Sequence, residues 1–145
     1  NYPPDFSLIN SDGKPMSLKD FRGKYLLLCF ARSDNPTSLM EMGIINMWHK
    51  KYIKDLQIVT VLTDKNFNAA TTLIKNRGFN WIFLNGSKKD NIEFNYDLKM
   101  YPSFLLLDRM GKIVAAPCSY PSEDLELTIS KILFADTTRS GSENR

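Results

Sequence analysis

Tyr25-Leu26-Leu27-Leu28-Cys29-Phe30-Ala31-Arg32-Ser33-Asp34-Asn35-Pro36-Thr37-Ser38 is the stretch on which the reading of this chain turns. Its first seven residues form an unbroken apolar run, apolar on both alternating faces, which predicts a strand buried on both sides of a sheet. Asn35 followed by Pro36 then signals a helix start. Asn is among the best N-cap residues, and Pro at the first helical position gives up an N–H that has no partner there. Leu39, Met42, Ile45, Trp48 and Tyr52 recur at spacings of three and four, which predicts an amphipathic helix over 37–54.

Upstream, Asp5-Phe6-Ser7-Leu8 and Met16-Ser17-Leu18 flank the turn residues Asn10-Ser11-Asp12-Gly13-Lys14 and predict a short hairpin. Downstream, Gln57 to Leu62 is a second buried strand and 67–76 a second helix, so the order is β-α-β-α. Trp81-Ile82-Phe83-Leu84 is extended, 86–90 a loop and 91–97 a short helix. Ser103 to Asp108 and Lys112 to Ala116 are joined closely enough to form an antiparallel hairpin. Pro121-Ser122-Glu123-Asp124 opens a last helix whose apolar face is Leu125, Ile129, Ile132 and Leu133. Residues 1–136 are expected to be one domain, and the polar residues 137–145 a flexible C-terminal tail.

Composition narrows the function classes. The net charge of +3 comes from cations scattered among acids, and no basic stripe accompanies Trp48 or Trp81, so nucleic acid is not an expected partner. Both tryptophans are expected in the core or at its rim, and His49, between Trp48 and Lys50-Lys51, is expected to be solvated. The longest apolar run is far short of the roughly 20 residues of a membrane span. The start at Asn1-Tyr2-Pro3-Pro4 reads as a processed protein or a piece of a longer one. Two cysteines and one histidine offer too few soft ligands for a zinc site, so neither a metal nor a cofactor is expected.

Pro4-Asp5-Phe6-Ser7-Leu8, Asp12-Gly13-Lys14-Pro15, Leu18-Lys19-Asp20-Phe21-Arg22-Gly23-Lys24, Phe30-Ala31, Glu41-Met42 and Tyr101-Pro102-Ser103-Phe104-Leu105-Leu106-Leu107-Asp108-Arg109 occur in that order. Together they resemble the thioredoxin-like proteins of the TlpA/ResA and AhpC/TSA (redoxin) group over about residues 3 to 134. The resemblance implies an α/β thioredoxin-like fold: a central mixed β-sheet flanked by helices, with an N-terminal β-hairpin and a βα insertion. It also implies a role in cell redox homeostasis, through a Cys-x-x-Cys pair at the start of the first helix. Counting from Phe30 forward and from Glu41-Met42 backward puts that motif on Asp34-Asn35-Pro36-Thr37-Ser38. The attacking and resolving cysteines are replaced by Asn35 and Ser38, and neither an amide nor an unactivated hydroxyl substitutes for a thiolate. The buried carboxylate that precedes the strand's Phe in thioredoxin is here Cys29. A peroxiredoxin reading, suggested by Asn35-Pro36-Thr37, lacks the same nucleophile and has Leu28 and Arg32 where Pro and Thr are required.

The floor of the site survives in Tyr101-Pro102, which matches the family's cis-proline dipeptide. The resemblance therefore implies a groove of Asp34, Asn35, Pro36, Thr37, Ser38, Tyr101 and Pro102, and the domain is expected to hold a polypeptide or another domain of the same longer protein, or to serve as a structural domain, without electron transfer. The alternative is a monothiol oxidoreductase or redox sensor using Cys118 or Cys29. Alternation places Cys29 on the sheet face opposite Phe30. Cys118 is expected near the end of the last strand, and the family topology that the resemblance implies puts its strand two spacings from that of Cys29, too far for a bridge. By the same resemblance the expected site of action is periplasmic or membrane-anchored outside the cytoplasm.

Overall fold

The computed structural model describes residues 1–87 and 89–143. β1 (Ser7–Ile9) and β2 (Pro15–Ser17) pair antiparallel across a turn closed by Asn10, whose Oδ1 accepts the N–H groups of Asp12 at 2.9 Å and Lys14 at 3.0 Å. A 3-10 turn at Leu18–Phe21 leads into β3 (Tyr25–Ala31), α1 (Pro36–Trp48), a second 3-10 turn at His49–Tyr52, β4 (Leu56–Leu62) and α2 (Phe67–Asn76). β5 (Ile82–Asn85), α3 (Ile92–Asn95), β6 (Ser103–Leu107), β7 (Ile113–Ala115) and α4 (Leu125–Glu143) complete the chain. Five strands make one sheet in the order β5-β4-β3-β6-β7, parallel from β5 to β3 and antiparallel from β3 to β7.

Both β3-α1-β4 and β4-α2-β5 step the same way along the sheet, so right-handed crossovers put α1 and α2 on one face. That face buries Leu27 and Cys29 against Met42 and Ile45 of α1, Ala70 and Ile74 of α2, and Leu125 and Ile129 of α4. The opposite face buries Leu26, Leu28 and Phe30 against Phe6 and Leu8 of the hairpin segment and Ile92 of α3. Both sheet edges carry a cover: Asn10 bridges to Leu84 of β5, and the Ile113 N–H of β7 donates to the Asn1 carbonyl at 2.8 Å. Among the described residues no helix is long and apolar enough to cross a membrane.

Three local expectations change. The first helix stops at Trp48, whose φ of −128° leaves the helical region, and the chain tightens into the 3-10 turn. That switch turns His49 inward. It is 6% exposed rather than solvated, edge-on to Trp81 at 5.2 Å. The helix expected over 91–97 shrinks to Ile92–Asn95 because Asp90 and Asn91 adopt left-handed φ of 64° and 47°, a conformation these side chains tolerate. In the polar segment read as a tail, residues 137–143 continue α4, since polarity without a proline does not end a helix; residues 144–145 lie outside the described residues.

Burial, with a smaller contribution from Lys50, lowers the His49 imidazole below its ordinary value. An imidazole that resists protonation in the native state leaves the unfolded state binding more protons, so stability falls as pH drops from about 6.5 to the lower native value. Urea midpoints measured between about pH 7 and about pH 5 are expected to fall less steeply in His49→Leu than in the parent, and equal slopes would show that His49 carries none of the effect.

Candidate functional site

The carboxyl ends of β3 and β4 open onto the loop of residues 32–35, where a mixed sheet reverses its strand order and leaves a crevice. Asn35 has extended φ/ψ of −107° and 114°, and its Oδ1 accepts the Ser38 N–H at 2.7 Å; Pro36 is the first helical residue. The cap occupies one of the free N–H groups at the start of α1, the electrostatic feature that would otherwise favour an anion there. Asp64, just beyond β4 and 8% exposed, accepts the Ser33 N–H at 3.0 Å and the Ser33 hydroxyl at 2.7 Å, pinning the loop to the neighbouring strand. Arg32 grips Asp34 through two contacts of 3.0 and 2.9 Å, and this hydrogen-bonded guanidinium holds the Asp34 carboxyl below its ordinary value.

The expected groove residues divide. Asp34, Pro36 and Thr37 are exposed and Asn35 is half-buried. Ser38 is fully buried beneath the loop, its hydroxyl accepting the Arg32 N–H at 3.3 Å, so it packs under the site rather than lining it. The antiparallel register ends with Phe30 opposite Ser103, directly after Pro102, and Arg32 interacts electrostatically with Tyr101. The Tyr101–Pro102 peptide is cis, as is Ala116–Pro117. The Tyr101 hydroxyl is buried near Thr63 and Glu93 without an aligned hydrogen bond, and burial raises its phenol. Among the described residues neither the N–H nor the C=O of Tyr101 has a backbone partner.

Beyond Pro102 lies an open groove of about 860 Å³ whose floor includes Phe30, Phe104 and Leu105. One bank is the 96–100 segment with Tyr96, Leu98 and Met100, and the other carries Pro117, Cys118 and Tyr120. The Tyr120 hydroxyl donates to the Pro102 carbonyl at 2.7 Å and lies 3.5 Å from Met100 Sδ on the opposite bank. The second bank is fixed from below by Glu41, 1% exposed, which accepts the Ser122 N–H at 2.8 Å and the Ser122 hydroxyl at 2.6 Å. Sequence reasoning did not assign Glu41, Asp64, Thr63 or Tyr120 to the site. A lone acid between Met40 and Met42 was the available signal for Glu41, and an acid directly after a buried strand the signal for Asp64.

Neither cysteine stands at position 35 or 38, and both are free. Cys29 is fully buried beside Thr60 and Glu41, and desolvation pushes its thiol up to about 12. Cys118 is half-buried at the sheet edge, where its N–H donates to the Phe104 carbonyl, and burial pushes its thiol up to about 11. Phe104 is also the cross-strand partner of Cys29, so a whole strand stands between the two sulfurs.

The sheet order, the helix entering at the end of β3 and the loop facing it at Tyr101–Pro102 define a thioredoxin-fold domain. The chain belongs to the AhpC/TSA family, which it matches over residues 2–116. It is 32% identical over 115 residues to the thioredoxin-like protein YneN of Bacillus subtilis (strain 168), a match covering 76% of this chain and 65% of that protein. Among solved structures it is similar to the thioredoxin domain of a thiol-disulfide oxidoreductase from Bacteroides vulgatus (TM-score 0.77, 26% identity, 91% of this chain and 95% of that one). It is also similar to a thiol-disulfide oxidoreductase from Bacteroides fragilis (TM-score 0.76, 25% identity, 92% of this chain and 99% of that one).

Two measurements test this description of the site. Asn35→Ala is expected to lower stability by about 0.5–2 kcal/mol in urea unfolding, and Asn35→Gly by only a few tenths. Titration with a chromogenic disulfide at neutral pH is expected to find both thiols slow in the native protein and fast in denaturant. Rapid native labelling of Cys118 would contradict the raised thiol.

Proposed function

We propose that this chain is a redox-inactive member of its family that holds an extended polypeptide, supplied by a partner or by another domain of the same longer protein. The observation that carries the reading is the state of position 35. An amide there caps α1, and the side chain one turn later is a buried serine. Dithiol exchange needs a thiolate to attack and a second thiol to resolve the mixed disulfide, and this pair supplies neither. The main-chain groups of Tyr101, without a backbone partner among the described residues and beside a groove with an apolar floor, are suited to a backbone in extended conformation. The monothiol alternative has against it the burial that raises both thiols, which leaves little thiolate at neutral pH. The resemblance to TlpA-like and ResA-like proteins supports a site of action outside the cytoplasmic membrane.

Reduction of insulin disulfides with dithiothreitol as donor separates the readings. The parent is expected to match the uncatalysed rate, and the Asn35→Cys/Ser38→Cys double variant to exceed it, because the scaffold around the two positions is in place. Turnover by the parent that disappears in Cys118→Ser would overturn the proposal in favour of the monothiol reading.

A further inference from the structure

The charges of this chain are divided between the two ends of its sheet. At the end that carries the candidate site, Asp34, Asp64, Asp97 and Glu123 stand in the loops. Arg32 and Lys99 are each held there by an acid, at 2.9 and 3.9 Å. The opposite end is built from the loop before β3, the turn before β4 and the turn between β6 and β7. Arg22, Lys24, Lys54 and Lys112 stand on those three segments, and among the described residues none of the four has an ion pair. The acids beside them are occupied. Asp55 and Asp136 hold Arg109, Asp20 accepts the Ser17 N–H at 2.8 Å, and Asp108 accepts the N–H groups of Met110 and Lys112 at 2.9 and 3.0 Å.

Hydrogen bonds join the three segments into one surface. The Lys24 ammonium donates to the Ile53 carbonyl at 2.7 Å. The Gly23 N–H donates to the Arg109 carbonyl at 2.9 Å, and the Arg109 guanidinium donates to the Gly23 carbonyl at 3.0 Å. The Arg22 guanidinium and the Lys112 ammonium lie 5.8 and 6.0 Å from the centre of the Tyr2 ring. Large apolar side chains stand among these cations: Tyr2, Ile53 and Met110 are 56%, 57% and 64% exposed.

We infer that this end of the domain docks on the surface of an anionic lipid bilayer, with the candidate site turned towards water. Cations set around an exposed Tyr, Ile and Met suit an interface. The ammonium and guanidinium groups meet lipid phosphates, and the apolar side chains enter the boundary between headgroups and acyl chains. A nucleic acid would satisfy the cations and leave Ile53 and Met110 in water, so the apolar residues favour the bilayer. The same surface potential repels the acids at the other end, and the charge distribution thereby sets the orientation.

Co-sedimentation with vesicles of phosphatidylcholine, either alone or with about a third phosphatidylglycerol, tests this. At low ionic strength the parent is expected to bind the anionic vesicles at least about tenfold more tightly, an advantage that shrinks at about 0.3 M salt. Lys54→Gln/Lys112→Gln is expected to weaken binding about tenfold, and Lys65→Gln, at the end with the candidate site, less than about twofold. Ile53→Ser/Met110→Ser, at exposed positions, is expected to weaken binding severalfold while keeping the preference for anionic vesicles. In hydroxyl-radical footprinting on anionic vesicles, Met110 is expected to be protected and Met100, also 64% exposed in the free protein, to react as before. Equal binding to both vesicles, binding to neither, or protection of Met100 in place of Met110 would overturn the inference. Binding that Ile53→Ser/Met110→Ser leaves intact would overturn it in favour of a surface for a plain polyanion.

Discussion

The burial of β3 on both faces is the constraint from which the rest of the architecture follows. Every residue from Tyr25 to Ala31 is buried, paired on one side to β4 in parallel and on the other to β6 antiparallel. A strand in that position needs a layer on each face and a strand on each edge. Each of its leucines contributes about 1.5–3 kcal/mol if fully withdrawn from water. α1, α2 and α4 supply one layer, and the hairpin segment with α3 supplies the other. The entry to β3 is held by Arg109, which bonds Asp55 at 3.0 Å, Asp136 at 3.2 Å and the Gly23 carbonyl at 3.0 Å while lying over the Tyr25 ring. One guanidinium thereby ties the start of β3, the start of β4, the end of β6 and α4 to a common point.

At the far end of the same strand, the physics that favours a thiolate in a dithiol protein is occupied by a neutral group. Free N–H groups and the helix dipole at the start of α1 attract negative charge, and the Asn35 amide oxygen answers them as a cap. Asp64 satisfies the loop that leads there, and Glu41 anchors the segment that faces it. The acids at this site are thus used to hold backbone and hydroxyl groups in place. They fix the two banks of the groove, so its shape is already formed.

The cysteines illustrate how position decides chemistry. Cys29 sits in the middle of the most buried strand, where it packs as a small apolar residue. Cys118 lies at the groove but with its sulfur turned to the sheet edge, 3.5 Å from the Ala115 carbonyl. Desolvation opposes the thiolate in both places.

Much of this was legible from the residues alone because it depends on local pattern. A seven-residue apolar run, an Asn-Pro helix start, helical spacing over 67–76 and the turn at Asn10 to Gly13 each report a short-range preference, and each element formed where its pattern lay. That Asn35 and Ser38 stand at the start of the first helix, with the two cysteines elsewhere, is likewise a property of the sequence. Other features depend on residues brought together from distant parts of the chain. Local periodicity carried the first helix through His49, and only contact with Trp81, 32 positions on, makes its inward turn favourable. Ser38 is hidden because the loop closes over it, and Glu41 meets Ser122 across 81 positions. The groove exists only once the 96–100 segment and the segment before α4 flank the end of β6. Spacing along the chain sets which residues a turn or helix presents, whereas burial and charge balance are set by neighbours that the sequence order does not specify.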